Sequence, residues 1–166
     1  MFGNMGYGFN RATVKESLIH DKGVFATVNI CKNEIITLYP TDFIVDYSNG
    51  KAIHSLNNEP ADFVKNEKLL NKYSVALNSN VSFVGQPKLT NNSDFVGHMI
   101  NEGSKCFDDE KQYSESAEIN CNCKFVPITI NMMLACVATR NINQGEEILV
   151  AYTFKYWHDN PGYLHL

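Results

Sequence analysis

The sequence predicts a mainly β (α+β) fold made of many short strands and few short helices, and three observations support this. Runs of β-branched and aromatic residues recur along the chain and end at Asn, Gly or Pro. One longer stretch, 60–73, spaces its apolar residues as a helix does. Hydrophobic residues make up 44% of the 166 residues, which is enough for the core of one domain.

The predicted strands follow one another in chain order, and turn signals separate them. A turn at 31–33 divides the second strand from the third, and the triplet 48–50 ends the fourth. The triplet 85–87 ends the sixth strand, and a turn at 141–145 precedes the last. We predict strands at residues 11–19, 24–30, 34–39, 42–47, 73–77, 81–84, 124–130, 133–138 and 147–152.

The remaining segments are helical or irregular. Pro60 stands where the first turn of a helix tolerates proline, so we predict a helix at 60–73. Residues 94–100 fit one or two helical turns. Residues 102–118 hold six acidic residues against two lysines, and we predict a long loop there. Loops longer than about 12–15 residues are uncommon, and most are functional or disordered.

Charge and composition exclude several classes of protein. A formal net charge of −4 argues against a protein that binds duplex nucleic acid through a basic face. Residues 1–10 lack the apolar centre of a signal peptide, and no stretch approaches the roughly 20 apolar residues of a membrane span. Five cysteines, an odd number, indicate reduced thiols. We therefore expect an intracellular protein that acts without membrane or direct nucleic-acid partners.

The most specific motif lies near the C-terminus. Residues 138–152 read ATRNINQGEEILVAY. This run resembles the motif ATRDI-x-x-GEEL-x-x-x-Y of SET-domain protein lysine methyltransferases, in which the final tyrosine is catalytic. Tyr152 holds that position here. Tyr156 and Trp157 resemble the tail of small stand-alone viral SET proteins. Taken alone, the run also fits an ordinary hairpin with Tyr152 as a core aromatic.

Two upstream runs resemble the first SET motif. Residues 20–26 read HDKGVFA and are similar to GxGxFA. Residues 30–36 read ICKNEII and are similar to I-x-x-GE-x-I. Asp21 and Asn33 stand where the family has glycine.

In the family, this first turn brings its backbone against the methionine end of the cofactor. The resemblance therefore implies cofactor contacts for Lys22, Gly23, Val24 and Phe25. Gly23 provides the close approach or positive φ that such a turn needs, and Lys22 would pair with the cofactor carboxylate. The alternative is a plain β-turn with a solvated lysine.

A third run, GHMINE at 97–102, resembles the family's GRFINH. Asn101 takes the place of the asparagine whose side chain holds the amino group of the cofactor. Glu102 stands where histidine is usual, a position that contacts adenine through its backbone. Residues 120–125, NCNCKF, resemble the continuation PNCxxxF, so 103–119 would be an acidic insertion. The alternative for Asn101 is the C-cap of a helix.

The resemblance covers about residues 13–157 and implies a single SET domain over 1–166, with short twisted β-sheets and a C-terminal pseudoknot. It implies methyl transfer from S-adenosylmethionine to a protein lysine, with S-adenosylhomocysteine as product. A lysine with a pKa of about 10.4 is protonated at neutral pH, and burial among aromatic side chains lowers that pKa. In-line alignment of the reacting groups supplies much of the remaining rate.

The implied site has three parts. The catalytic residue is Tyr152. The cofactor-binding residues are Lys22, Gly23, Val24, Phe25, Asn101, Glu102 and Trp157. The substrate channel is formed by Val150, Phe154 and Tyr156. Phe154 and Tyr156 fit a C-terminal plug over the core equally well, and Val150 leaves the number of added methyl groups open.

The cysteines and histidines do not predict a metal site. Cys121 and Cys123 would supply half of a zinc site, but structural zinc takes four ligands and a second pair is missing. The five histidines show no HxH or HExxH spacing. We therefore expect free thiols and no metal.

By family analogy, the substrate is a basic, lysine-containing peptide such as a histone tail. That analogy places the protein in the nucleus, the host nucleus if the chain is viral, with the cytoplasm as the other location. A homodimer would complete the substrate groove. One rival is a SET-like module that binds lysine peptides without turnover, supported by Asp21, Asn33 and Glu102. The other is a small β domain with no enzymatic role, if the motif matches are coincidental.

Overall fold

The computed structural model describes residues 9–55, 65–105, 108–128 and 133–159. The strands in these ranges are β1 (Ala12–Glu16), β2 (Lys22–Ala26), β3 (Ile35–Tyr39), β4 (Phe43–Asp46), β5 (Ala52–Ser55), β6 (Ser74–Ala76), β7 (Val81–Val84), β8 (Asn101–Glu102), β9 (Cys123–Ile128), β10 (Met133–Ala138) and β11 (Glu147–Val150). The helices are α1 (Glu67–Lys72), α2 (Glu110–Asn120) and α3 (Phe154–Asp159), with 3₁₀ helices at Ser93–Phe95 and Gly97–Met99. The predicted mainly β fold with few short helices is confirmed.

The strands form three small sheets. Their orders are β1-β2-β11-β8, β3-β10-β9 and β5-β4-β7-β6. The pairing of β11 with β8 is parallel, and the other pairs are antiparallel. The C-terminal strand β11 therefore lies between β2, near the start of the chain, and β8, near its middle, as expected for a threaded C-terminal segment.

The turn before β11 fixes how that strand enters the first sheet. Gly145 has φ +86, a left-handed conformation that side chains disfavour. Its N–H donates to Ala26 O at 2.8 Å, and Ala26 N–H donates back to Glu146 O at 2.9 Å. Arg140 forms an ion pair with Glu146 across the turn at 2.6 Å. These contacts hold β11 in register with β2.

Asp21 and Asn33, the two departures from the family glycines, keep the backbone that glycine would adopt. Asp21 has φ 40 and Asn33 has φ 70. Aspartate and asparagine visit the left-handed region more readily than other side chains do. Both substitutions are therefore compatible with the turns that the family motif requires.

The main core lies between the first and second sheets. Val24 and Ile148, paired across β2 and β11, are fully buried in it. Tyr152 packs against its edge. The buried members of this core are Ala12, Val24, Ala26, Ile30, Ile36, Val96, Ile100, Cys123, Cys136, Ala138, Ile142, Ile148 and Val150. The C-terminal strand is thus anchored in the core immediately before it delivers Tyr152.

The predicted loop at 102–118 is wrong over most of its length, because α2 begins at Glu110. The Asp109 side chain caps this helix by accepting from Gln112 N–H at 2.9 Å. Tyr113 and Ala117, four residues apart, are its buried positions. Two buried positions among many polar ones give only a weak periodic pattern of apolar residues, so the sequence did not predict this helix.

Other elements differ from the predictions at their edges. The strand β5 was not predicted, and the aromatic tail forms helix α3. The predicted helix at 60–73 is confirmed over α1, while its residues 60–64 lie outside the described ranges. Within the described ranges, none of the helices has the length and apolar character needed to cross a bilayer.

Candidate active site

Two cavities meet at Tyr152. The larger, of about 550 Å³, opens between β6, β9 and the C-terminal helix. The smaller, of about 70 Å³, lies beside the turn that leads into β2. Tyr152, Tyr156, His98 and Lys72 line both cavities. The predicted catalytic tyrosine is therefore part of a wall that two separate openings share.

The Tyr152 hydroxyl is held at this wall by one short hydrogen bond. It donates to Ile100 O at 2.6 Å. Burial, followed by the nearby Tyr156 and Glu102, raises the pKa of Tyr152. The phenol therefore stays protonated at neutral pH, with its proton given to Ile100 and its oxygen able to accept a hydrogen bond.

The aromatic residues of α3 surround the Tyr152 ring. Trp157 stacks on it with 5.9 Å between ring centroids and 9° between planes. Tyr156 meets it edge-on at 5.2 Å. Aromatic faces favour cations, so this group suits a site that handles an ammonium or a sulfonium.

Glu102 is the centre of a buried hydrogen-bond network behind Tyr152. Its side chain is only 8% exposed. One carboxylate oxygen accepts from Tyr152 N–H at 2.7 Å, Tyr113 O–H at 2.9 Å and Trp157 Nε1–H at 3.0 Å. The other accepts from Ser104 N–H at 2.8 Å. Because buried carboxylates are costly without donors, these four bonds explain how a glutamate occupies the position of the family histidine.

Tyr113 brings helix α2 into this network. Its hydroxyl donates to Glu102 and accepts from Thr153 N–H at 2.9 Å. Thr153 has φ 96, which is a rare conformation for a β-branched residue. The bond from Thr153 N–H therefore helps to hold a strained residue directly after Tyr152. The segment predicted as an acidic insertion thus supplies part of the site.

Asn101 stands among three hydrogen-bond acceptors beside the smaller cavity. Its amide nitrogen donates to Glu147 Oε1 at 3.0 Å, Lys22 O at 3.1 Å and His20 O at 3.3 Å. A Cβ atom on Gly23 would overlap the Glu147 carboxylate and lie 2.9 Å from Asn101 Nδ2. Gly23 is therefore required for this packing.

The other predicted site residues divide between the cavities and the core. Val150 lines the larger cavity, and Lys22 lines the smaller one. Val24 is fully buried in the core, and Phe25 pairs with Glu147 across the sheet, so their side chains are not among those lining either cavity. Phe154 is also absent from the lining, because its ring packs on Tyr113 at 6.1 Å.

The larger cavity contains residues that the sequence did not indicate. Tyr39, at the end of β3, donates its hydroxyl to Tyr73 O at 2.7 Å and meets Phe125 edge-on at 5.5 Å. His98 is 6% exposed, and its ring lies near the Gln86 backbone without a well-formed hydrogen bond to either ring nitrogen among the described residues. Burial lowers the pKa of His98 to about 4, so the imidazole is neutral at physiological pH.

In the run at 120–125, the buried asparagine that bonds to β11 is Asn122 rather than Asn120. Asn122 is 1% exposed, donates to Glu147 O at 2.8 Å and accepts from Leu149 N–H at 2.8 Å. Asn120 is the last residue of α2, and its side chain bonds to Ser116 O. Both stand beside a cysteine in the sequence, and spacing alone did not separate them.

The cysteines of the described ranges are free thiols: Cys31, Cys121, Cys123 and Cys136. Burial raises the pKa of Cys121 to about 12, so this thiol is a poor nucleophile. Within the described ranges, no three His, Cys, Asp or Glu side chains are grouped as metal ligands. The absence of a metal from the site stays a prediction.

The donors and acceptors of the smaller cavity suit the chemical groups of S-adenosylmethionine. Lys22 offers a cation for a carboxylate, and the side-chain oxygen of Asn101 is an acceptor that suits an ammonium. Trp157 offers an aromatic face for a purine or a sulfonium. The cavity's volume of about 70 Å³ has room for only part of such a molecule.

The chain is similar to a known family and to solved structures. The SET domain profile matches residues 21–153 of the chain. No curated protein sequence matches the chain. Among solved structures, a Plasmodium falciparum "putative histone methyltransferase" is 19% identical with a TM-score of 0.48, over 89% of this chain and 97% of that one.

Proposed function

The chain belongs to the SET-domain family, and we propose that it transfers a methyl group from S-adenosylmethionine to a lysine side chain of a protein. SET domains are in general protein lysine methyltransferases. The proposal extends that general activity to a particular cofactor and to particular residues of this chain.

The observation that carries the proposal is that two cavities share Tyr152 in their walls. A transfer between two large molecules needs two openings that reach one point. Here the larger cavity would admit the target lysine, and the smaller would hold the methionine end of the cofactor. Tyr152 lines both, which fits a residue that touches both reactants.

Tyr152 would orient the lysine amine rather than deprotonate it. Its hydroxyl proton is engaged by Ile100 O, so its oxygen is the atom that can accept from an amine N–H. Because burial raises the pKa of Tyr152, the phenolate is not available as a base. The surrounding aromatic side chains would lower the pKa of a bound lysine, so that the lysine can lose its proton to solvent and attack the methyl group with its lone pair.

Lys22, Asn101 and Trp157 would hold the cofactor. S-adenosylmethionine supplies an electrophilic methyl group on a sulfonium when it is bound. Lys22 would pair with its carboxylate, and the side-chain oxygen of Asn101 would accept from its ammonium while the amide nitrogen stays bonded to Lys22 O, His20 O and Glu147. Glu102 would act by fixing the Trp157 indole and the Tyr152 backbone.

The three departures from the family motifs now give little support to a peptide reader without catalysis. Asp21 and Asn33 keep left-handed backbones at the two glycine positions. Glu102 is fully bonded in place of the family histidine. The three departures are thus accommodated in a way that supports an enzyme.

The finer predictions remain proposals from the resemblance. They are a histone tail as substrate, pairing of two chains into a homodimer, and location in the nucleus, or in the host nucleus for a viral chain. Size-exclusion chromatography with light scattering tests the dimer, and fluorescence imaging of the tagged chain in cells tests the location.

Methyl transfer from radiolabelled S-adenosylmethionine to a lysine-peptide array tests the proposed activity, with calorimetric titration of S-adenosylmethionine alongside it. We expect cofactor binding and label on lysine-containing peptides only. Binding of lysine peptides without cofactor binding or labelling would instead identify a peptide reader.

A further inference from the structure

The larger cavity has positively charged side chains in its lining. Three lysines from three different elements line it: Lys72 at the end of α1, Lys124 on β9 and Lys155 on α3. Among the described residues that line this cavity, none is an aspartate or a glutamate. The chain as a whole carries a net charge of −4, so the charge of this lining is opposite in sign to the net charge of the chain.

The positions of these lysines place the charge where a substrate would enter. Lys124 and Lys155 are exposed, whereas Tyr39 and Val150 of the same cavity are buried. The cations therefore lie toward solvent and the apolar residues line the interior. A peptide whose lysine reached Tyr152 through this cavity would pass its neighbouring residues over the cations.

From this arrangement we infer that the preferred substrate is a lysine flanked by acidic residues. This inference replaces the histone tail that the resemblance implies, because a strongly basic tail would meet like charges at this cavity. The inference rests on the proposed methyltransferase function and names its substrate class. Electrostatic complementarity across an interface selects partners, and juxtaposed like charges disfavour wrong ones. Arginines and lysines beside the target would meet Lys124 and Lys155, whereas aspartates and glutamates would pair with them.

Three peptides of equal length, with one central lysine and flanks rich in Glu, Gln or Arg, test the inference. Their affinities for the full chain are measured by fluorescence anisotropy, with S-adenosylhomocysteine present, at low and high salt. We expect the Glu-flanked peptide to bind about tenfold more tightly than the Arg-flanked one at low salt, and the difference to shrink at high salt. Equal affinities, tighter binding of the Arg-flanked peptide, or no binding of the Glu-flanked peptide would overturn the inference.

Charge-reversal variants assign the preference to this surface. Lys124→Glu with Lys155→Glu should reverse it, and Lys124→Gln with Lys155→Gln should abolish it. Lys72 is left unchanged because it also lines the smaller cavity. Lys32→Glu with Lys88→Glu, an equal charge change at two exposed positions outside both cavities, should retain the wild-type preference. A preference that survives in the double charge-reversal variant would contradict the inference.

A methyl-transfer assay on the same peptides separates this inference from the proposed function. Binding of the Glu-flanked peptide without transfer of label would count against the methyltransferase and leave the charge preference standing. Transfer to the Arg-flanked peptide in preference would sink the inference and leave the methyltransferase standing.

Discussion

The two sides of Tyr152 are built in opposite ways. On the side of the smaller cavity, Asn101 and Glu102 make seven hydrogen bonds in adjacent networks that tie β8 to β2, β11, α2 and α3. On the other side, a cavity of about 550 Å³ has exposed lysines at its opening. One side is fixed by short polar contacts, and the other is wide and selects by charge.

This difference matches what the two proposed ligands require. A cofactor is the same molecule in every turnover, so a rigid set of donors and acceptors can hold it at little cost in ordering. A protein substrate differs in sequence around the target lysine, so a wide opening with a general charge preference is sufficient. The comparison predicts that changes on the cofactor side alter catalysis or cofactor affinity, while changes at the opening alter substrate choice.

Tyr152→Phe should give the largest effect, because Tyr152 belongs to both sides. The variant keeps the ring that stacks on Trp157 but loses the hydroxyl bound to Ile100 O. We expect kcat for methyl transfer to fall about 100-fold or more, as for the loss of a group that contacts the transition state. Radiolabel transfer under saturating substrate measures this.

The control for Tyr152→Phe is Tyr47→Phe, which removes a hydroxyl from an exposed residue outside both cavities. It should keep wild-type kcat. Circular dichroism should show both variants folded. Wild-type turnover in Tyr152→Phe would exclude the proposed role of the hydroxyl.

His98, which lines both cavities, should make the stability of the fold depend on pH. Its pKa is about 4 in the folded protein and about 6.5 when unfolded, because burial disfavours the charged imidazole. Below pH 6.5 the unfolded chain therefore binds a proton that the folded chain does not. The contribution to stability is complete above pH 6.5 and is lost as the pH falls toward 4, by about 3 kcal/mol in all.

Urea unfolding between pH 7.5 and about 4 measures this dependence. His98→Phe removes the titrating group and should flatten the fall in the free energy of unfolding. His54→Phe changes an exposed histidine and should leave the profile unaltered. Identical profiles for wild type and His98→Phe would mean that His98 is not the group that titrates.

The sequence indicated residues that lie inside short motifs, and it missed residues that are defined only by distant partners. Asp21 and Asn33 stood out as departures from the family glycines, whereas the positive φ of both was learned from the structure. The sequence assigned Glu147 no role beyond its place in the GEE run, yet its carboxylate accepts a hydrogen bond from Asn101, 46 positions away. No local pattern reports such a contact.

Helix α2 shows the same limit more strongly. Its acidic composition predicted a loop, and its function depends on one buried residue, Tyr113. Tyr113 reaches Glu102 across 11 positions and Thr153 across 40. Composition describes the exposed face of a helix, whereas the site uses the opposite face, so the contribution of α2 became visible only in three dimensions.

Asn101→Ala sharpens the assignment of the cofactor side. The variant loses the amide that joins Lys22 O, His20 O and Glu147. We expect affinity for S-adenosylmethionine to fall about tenfold by calorimetry, in line with the loss of one or two useful hydrogen bonds. Affinity for the Glu-flanked peptide should stay unchanged, since Asn101 does not line the larger cavity.

Asn91→Ala, at an exposed position, is the matched control for Asn101→Ala and should bind cofactor as the wild type does. Unchanged cofactor affinity in Asn101→Ala would show that the asparagine of the third motif is misassigned.

Tyr113→Phe tests whether α2 acts on the site through Glu102, and it should give the smallest effect. The ring and its packing on Phe154 remain, while the bonds to Glu102 and from Thr153 N–H are lost. We expect kcat to fall by about three- to tenfold with little change in peptide affinity. Trp157 is the one tryptophan of the chain and donates to the same Glu102 oxygen, so its fluorescence emission should shift as well. Ser114→Ala, at an exposed position of the same helix, should change neither kcat nor emission. A Tyr113→Phe variant that loses stability but keeps wild-type kcat and emission would reduce α2 to a structural support.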